Sequence, residues 1–233
     1  MRTPTALGPV VCCLVAMLCV ADAQTPPPVT PPVQAPASRR SQRIRMEEVR
    51  VASPDGKVAF TLAPSAERLT FGVTIEGTTV IEPSPIVMKL DGYDLSAGVV
   101  LKTVERDTGR ETYPWFGAKS TARSEYAGAR IALTNDLTSL DYTLEIRAFN
   151  DGVAFRHVIP GAETSARVPD EYSTFTIPAG STVWYGGLAD GHYETPYLKK
   201  DIGDVKPGEW AGPPLTVKLA KGPATRRLRK PIS

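Results

Sequence analysis

The chain has 233 residues and a formal net charge of +2, with 42% hydrophobic and 22% charged residues, so it has apolar content enough to bury a core of its own. The charge is divided: residues 24–45 carry four Arg and no acid, residues 46–220 carry 17 Lys/Arg against 24 Asp/Glu, and residues 221–233 carry five basic residues and no acid. An acidic body excludes nucleic acid as the expected partner.

In chain order, Arg2 and the apolar run over residues 10–20 (VVCCLVAMLCV) read as the start and core of a signal peptide. The run is too short to span a bilayer. Ala21-Asp22-Ala23 fits a small-residue cleavage site, which gives a signal peptide over 1–23 and an exported chain, periplasmic or secreted, beginning at Gln24 with no transmembrane segment. An uncleaved anchor is the competing reading. Cys12, Cys13 and Cys19 all lie inside this segment, so the rest of the chain must stand on its core without disulfides.

Residues 24–47 form a linker, first proline-rich (QTPPPVTPPVQAPA) and then basic (SRRSQRIRM). The first part favours extended polyproline conformations. The second could touch anionic lipid or cell wall, although a solvated linker end is the simpler reading.

Residues 48–220 are punctuated at strand spacing. Strands are expected over 49–52, 58–62, 69–75, 79–81, 85–90, 99–104, 130–134, 140–149, 153–159, 172–177 and 182–185, with turns at Pro54-Asp55-Gly56, Glu76-Gly77, Asp91-Gly92 and Asn150-Asp151-Gly152. The clearest hairpin is the last of these turns: Leu140, Tyr142, Leu144 and Ile146 share one face, and Asp141, Thr143, Glu145 and Arg147 the other. No stretch sustains a 3.6-residue period. The fold class is all-β, a large β-sandwich. Residues 221–233 are expected to be a disordered basic tail.

Residues 184–214 (WYGGLADGHYETPYLKKDIGDVKPGEWAGPP) contain two of the three Trp and three of the eight Tyr, among many Gly and Pro, and read as a long loop. Long ordered loops on a sandwich often carry function. Trp184, Tyr185, Tyr193 and Trp210 are candidate carbohydrate-binding residues, because an aromatic ring stacks on the apolar face of a pyranose while carboxylates accept its hydroxyl protons. The same rings could equally cap the end of the core. Asp190, His192 and Glu194 would face one way in an extended segment and could bind a metal, with calcium suited to the oxygen ligands. The spacing alone leaves this open. No G-x-S-x-G elbow, H-E-x-x-H or phosphate-binding glycine loop is present in the sequence.

The succession of residues 51–62 (VASPDGKVAFTL), 69–80 (LTFGVTIEGTTV), 81–85 (IEPSP), 140–159 (LDYTLEIRAFNDGVAFRHVI) and 210–219 (WAGPPLTVKL) resembles the N-terminal domain of glycoside hydrolase family 97. The resemblance implies a β-super-sandwich from exported bacterial enzymes that act on α-glucosides or α-galactosides. In that family the sandwich precedes a (β/α)8 catalytic barrel and a small C-terminal β domain. It also implies calcium at the active site, with one glutamate supplied by the N-terminal domain. The Tyr193-Glu194 position is the match, which makes Glu194 the metal candidate. Residues 220–233 (AKGPATRRLRKPIS) depart from the family, which continues here towards the barrel. The expectation is a chain without the barrel, inactive alone, that binds sugar or a barrel in trans. The alternatives are a stand-alone carbohydrate-binding module of the cell envelope, or a structural envelope protein.

Overall fold

The computed structural model describes residues 47–65, 67–161, 166–187, 195–221 and 225–228. The expected signal peptide and almost all of the linker lie outside these residues, as do Tyr193 and Glu194. The described residues form fifteen strands, one short 3-10 turn (Ile202–Asp204) and no α-helix.

The strands begin where the sequence alternates. β1 (Val49–Ala52), β2 (Val58–Pro64), β3 (Leu69–Ile75) and β4 (Thr78–Pro85) pair in order as an antiparallel sheet. Their turns are set by local chemistry. Glu76 and Gly77 both take positive φ (50° and 77°), the pattern of a type I′ hairpin turn, whose twist matches that of the strands. Asp91 and Gly92 repeat it (51° and 86°) between β5 (Met88–Leu90) and β6 (Tyr93–Asp94). At the β1–β2 turn, Asp55 Oδ1 accepts from Ser53 Oγ (2.6 Å) and the Lys57 N–H (3.0 Å).

The second sheet is larger. β7 (Val99–Pro114), β8 (Thr121–Asn135), β9 (Leu140–Phe149) and β10 (Gly152–Val158) pair in sequence order, all antiparallel. β9 follows the expected alternation, with Tyr142, Leu144, Ile146 and Ala148 buried. Glu145, on the opposite face, is also buried. Arg130 on β8 and Arg156 on β10 stand directly across from it and close over its carboxylate at 2.7 and 2.6 Å. The Arg156 hydrogen bond is the main cause that holds this carboxyl below its ordinary range.

The inner faces of the two sheets meet, with β1 and β2 against β8, β9 and β10. Phe60 and Phe71 stack at 5.4 Å, and Phe155 of β10 packs on both at 5.8 and 5.3 Å. Phe175 meets Phe71 edge-on at 5.5 Å. Across the end of the sandwich, the Asp55 N–H donates to Asn150 Oδ1 (3.1 Å), so the turns of the two sheets are tied. The buried Asn135 Nδ2 donates to the carbonyls of Asp94 and Ala97, and its Oδ1 accepts from the N–H groups of Leu137 and Thr138, which closes the β8–β9 turn. A three-stranded sheet, β11 (Pro169–Glu171), β5 and β6, and a four-stranded sheet complete the fold.

Three expectations need correction. β7 and β8 are far longer than 99–104 and 130–134, because residues 105–114 and 121–125 lack an apolar face to reveal them. They are held by cross-strand pairs such as Arg110–Glu125. Residues 172–177 run beside β4 and the segment after it through single bonds (Thr174 N–H to Pro85 O, Glu82 N–H to Thr176 O, Tyr172 N–H to Val87 O) without forming a full ladder. The basic tail is not wholly disordered, because β15 (Thr225–Leu228) pairs with β14 (Ala211–Lys218), whose free edge offers it backbone partners.

His157 lies on the inner face of β10, opposite Leu144, with its ring 6.1 Å from that of Tyr142. Burial pushes the imidazole down to about 4, against the opposing pull of Glu171. The folded protein therefore holds it neutral where the unfolded chain would protonate it, so stability is lost as pH falls from 6.5 towards 4. The loss is up to roughly 3 kcal/mol. His157→Gln should flatten that part of the stability profile relative to the parent in urea titrations at a series of pH values. Phe71→Ala should cost about 3–5 kcal/mol at all of them.

Candidate functional site

The aromatic-rich stretch is not a single loop. Its described residues fall largely in the sheet β13–β12–β14–β15, with β12 (Thr182–Gly187) beside β13 (Tyr197–Asp201) and β14. The sequence concealed this because its Gly and Pro sit in the strands themselves. β12 ends in Gly186-Gly187, and β14 contains Gly212 and the cis-linked Pro213-Pro214.

β12 divides its residues between two faces. Val183 and Tyr185 are buried, at 1% exposure each, while Trp184 is half-buried on the other face. Trp184 lies between Lys199 of β13 and Thr216 of β14, with Lys199 Nζ 5.7 Å from its ring centroid. One step along this face, Gly186 pairs with Tyr197 on one side and Gly212 on the other. With no side chain on either glycine, the backbone there is a flat shelf beside Tyr197, which is 63% exposed. A β-bulge between Trp184 and Gly186 breaks the register against β14 at this point. Space at Gly186 is limited, since a Cβ there would stand 3.3 Å from Thr195 Oγ1. Trp210, 73% exposed, immediately precedes Ala211, which pairs with Gly187.

Tyr185 has a different part from the one expected. Its ring is core, so it cannot stack on a ligand, and only its hydroxyl reaches the loop before β14. There it donates to Glu209 Oε1, which also accepts from Lys200 Nζ, while the Lys206 N–H donates to Oε2 at 3.2 Å. Led by the Lys200 hydrogen bond, these donors hold the Glu209 carboxyl at about 2. Burial raises the Tyr185 hydroxyl, and the Glu209 bond raises the Lys200 ammonium. This cluster fixes the residue next to Trp210. Glu209 is too acidic, and too fully engaged, to move protons near neutrality.

The structure thus brings Trp184, Tyr197 and Trp210 to one sheet and removes Tyr185 from the candidate surface. Tyr193 and Glu194 lie outside the described residues. Tyr197 and Lys199 were missed, although the alternation Tyr197-x-Lys199-x-Asp201 marks one exposed strand face. Among the described residues no group of three or more His, Cys, Asp or Glu could hold a metal ion. What the described part of the chain offers is exposed ring surface, a glycine shelf and a lysine.

Comparison with known proteins agrees with this architecture. The family described as Glycosyl-hydrolase 97 N-terminal matches residues 51–226. A probable retaining alpha-galactosidase of Streptomyces bingchenggensis is 36% identical over 119 residues, covering 51% of this chain and 18% of that protein. A retaining alpha-galactosidase of Bacteroides thetaiotaomicron is 31% identical over 153 residues, covering 64% and 22%. The chain spans about a fifth of the length of these relatives. Among solved structures, a glycoside hydrolase family 97 enzyme from Pseudoalteromonas sp. strain K8 in complex with panose superposes with a TM-score of 0.66 at 18% identity, over 74% of this chain and 27% of that one. The same enzyme in complex with acarbose matches equally.

Tyr185→Ala opens the core and should cost about 3–5 kcal/mol. Tyr185→Phe and Glu209→Gln leave the core filled and should chiefly free the loop, seen as faster proteolysis within residues 202–210 at nearly unchanged Tm. Because the Glu209 carboxyl is depressed, its contribution is complete above the ordinary carboxylate range and fades as pH falls from 4.5 towards 2. The loop should therefore stay protected at pH 5 in the parent but not in Glu209→Gln.

Proposed function

The chain belongs to the glycosyl-hydrolase 97 N-terminal family, and from that premise we propose that it is an exported, substrate-facing domain that binds α-galactoside or α-glucoside oligosaccharides. The observation that carries the reading is the exposed aromatic surface of the β13–β12–β14 sheet. Trp184, Tyr197 and Trp210 present ring surface beside a glycine shelf, and Lys199 supplies a donor within it. Aromatic rings of this kind bury the C–H face of a sugar while their polar ends keep hydrogen bonds. The alpha-galactosidase relatives and the panose and acarbose complexes of the Pseudoalteromonas enzyme support a glycan as the ligand class.

On this reading the chain works beside a catalytic barrel, in one protein or in trans, and has no hydrolytic activity of its own. Residues 1–23 are a signal peptide that delivers it to the periplasm or medium, and residues 24–47 are a spacer. A contribution of Glu194 to a calcium site shared with a barrel belongs to the same reading, but no step of the binding described here depends on it.

Titration with a panel of α-glucans and α-galacto-oligosaccharides should give binding heat. Trp210→Ala and Tyr197→Ala should each weaken binding about tenfold or more, a loss of ~1.4 kcal/mol, while Tyr185→Phe, which only loosens the loop that carries Trp210, should weaken it by less. Silence across the whole panel, in heat and in amide chemical shifts, would sink the reading. Turnover of an aryl α-galactoside by the pure chain would refute the non-catalytic part. Export is checked separately, by whether the N-terminus recovered from a secreting host is Gln24.

A further inference from the structure

The β7–β8 ribbon leaves the sandwich. β9 pairs with β8 only as far as Tyr126, whose partner on β7 is Gly109. Beyond that row, residues 110–114 pair only with residues 121–125. At ~3.3 Å per residue these positions carry the tip roughly 17 Å past the last three-stranded row. The root of the ribbon is firmly seated. The Tyr126 ring lies so close to Gly109 that a Cβ there would be 2.3 Å from it, the Arg147 guanidinium stands 4.3 Å from the ring centroid, and the Tyr126 hydroxyl donates to Asp107 Oδ2 at 3.2 Å. A rigid root with a bare tip presents whatever the tip carries.

The tip carries aromatic rings and cations. Phe116 is 97% exposed, Trp115 57% and Tyr113 42%. Tyr113 and Trp115 meet edge-on at 6.2 Å, and the Trp115 backbone N–H donates to the Ser120 carbonyl to close the turn. From Thr112 to Ser124 the only charged residues are Lys119 and Arg123, whereas the body over residues 46–220 is net acidic. Trp115, Lys119 and Arg123 line one shallow hollow at this end.

We propose that this tip is an interfacial anchor that inserts its aromatic rings into the headgroup region of a membrane bearing anionic phospholipid. Trp and Tyr suit that depth because one end of each ring is apolar and the other polar, and Phe lies just beneath them. Lys119 and Arg123 extend their charges to the headgroups while their stems stay with the rings. A fluid surface is favoured over a rigid protein groove because the exposed groups are spread over both strands and the turn. An inserted ribbon is enclosed on every side, whereas a groove would cover one. This role is separate from sugar binding on the β13–β12–β14 sheet.

The test uses the full chain with Trp184→Phe and Trp210→Phe, which leaves Trp115 as the only tryptophan. Its emission reports on the tip whatever else in the chain meets lipid. Phosphatidylglycerol-containing vesicles should shift Trp115 to the blue and allow quenching by brominated acyl chains, with a much weaker effect from phosphatidylcholine alone. Phe116→Ala, and separately Lys119→Gln with Arg123→Gln, should each weaken the response about tenfold or more. Unchanged Trp115 emission on anionic vesicles overturns the proposal, and so does equal response of the parent and both variants. A blue shift that grows with protein concentration without lipid would also overturn it, by showing a second copy covering the tip.

Discussion

The aromatic seam between the two large sheets is the constraint on which the rest depends. Phe60 and Phe71 from one sheet and Phe155 from the other fill the same layer, and the alternation of β2, β3, β9 and β10 is what delivers them there. From residue 20 onward the chain contains no cysteine, so apolar burial must do what crosslinks do in many exported domains. The buried polar groups are arranged around this layer. Asn135 and Tyr142 satisfy their partners at its margin, where the Tyr142 hydroxyl donates to the Leu95 carbonyl at 2.7 Å, while Glu145 is satisfied by two arginines on the outer face of β9.

The peripheral β13–β12–β14–β15 sheet uses the core differently. One face of β12 is anchored through Val183 and Tyr185, which leaves the other free to carry exposed rings. The two functions of a tyrosine are separated between neighbouring strands: Tyr185 of β12 spends its ring on the core and its hydroxyl on a loop, while Tyr197 of β13, opposite a glycine, stays largely exposed. Glu209 then ties the core to the segment before β14, so the position of Trp210 depends on a residue that never faces the ligand surface.

Where burial is one-sided, the sequence made the fold legible. β1, β3 and β9 follow from alternation alone, and the Glu76-Gly77 and Asp91-Gly92 turns from residues that tolerate positive φ. The outer halves of β7 and β8 could not be read that way, because both faces are wet and their pairing rests on cross-strand contacts. The site was half legible. Composition drew attention to Trp184 and Trp210, but only the ladder separates Tyr185 from Tyr197, since one residue of register exchanges core for solvent. Glycine and proline inside β12 and β14 looked like a loop because those residues usually interrupt strands.

The arginine–glutamate–arginine row across β8, β9 and β10 has a consequence for how this sheet is assembled. A slip of one residue is forbidden by the core, because it would turn the apolar face outward. A slip of two keeps that face intact, and apolar packing alone would tolerate it poorly but not reject it outright. In one direction such a slip would set Arg147 opposite Arg130 or Arg156 instead of Glu145, placing like charges side by side. The row therefore adds an electrostatic preference for the native register to the one the core already imposes, in the one direction of slip that the alternation of faces would not forbid.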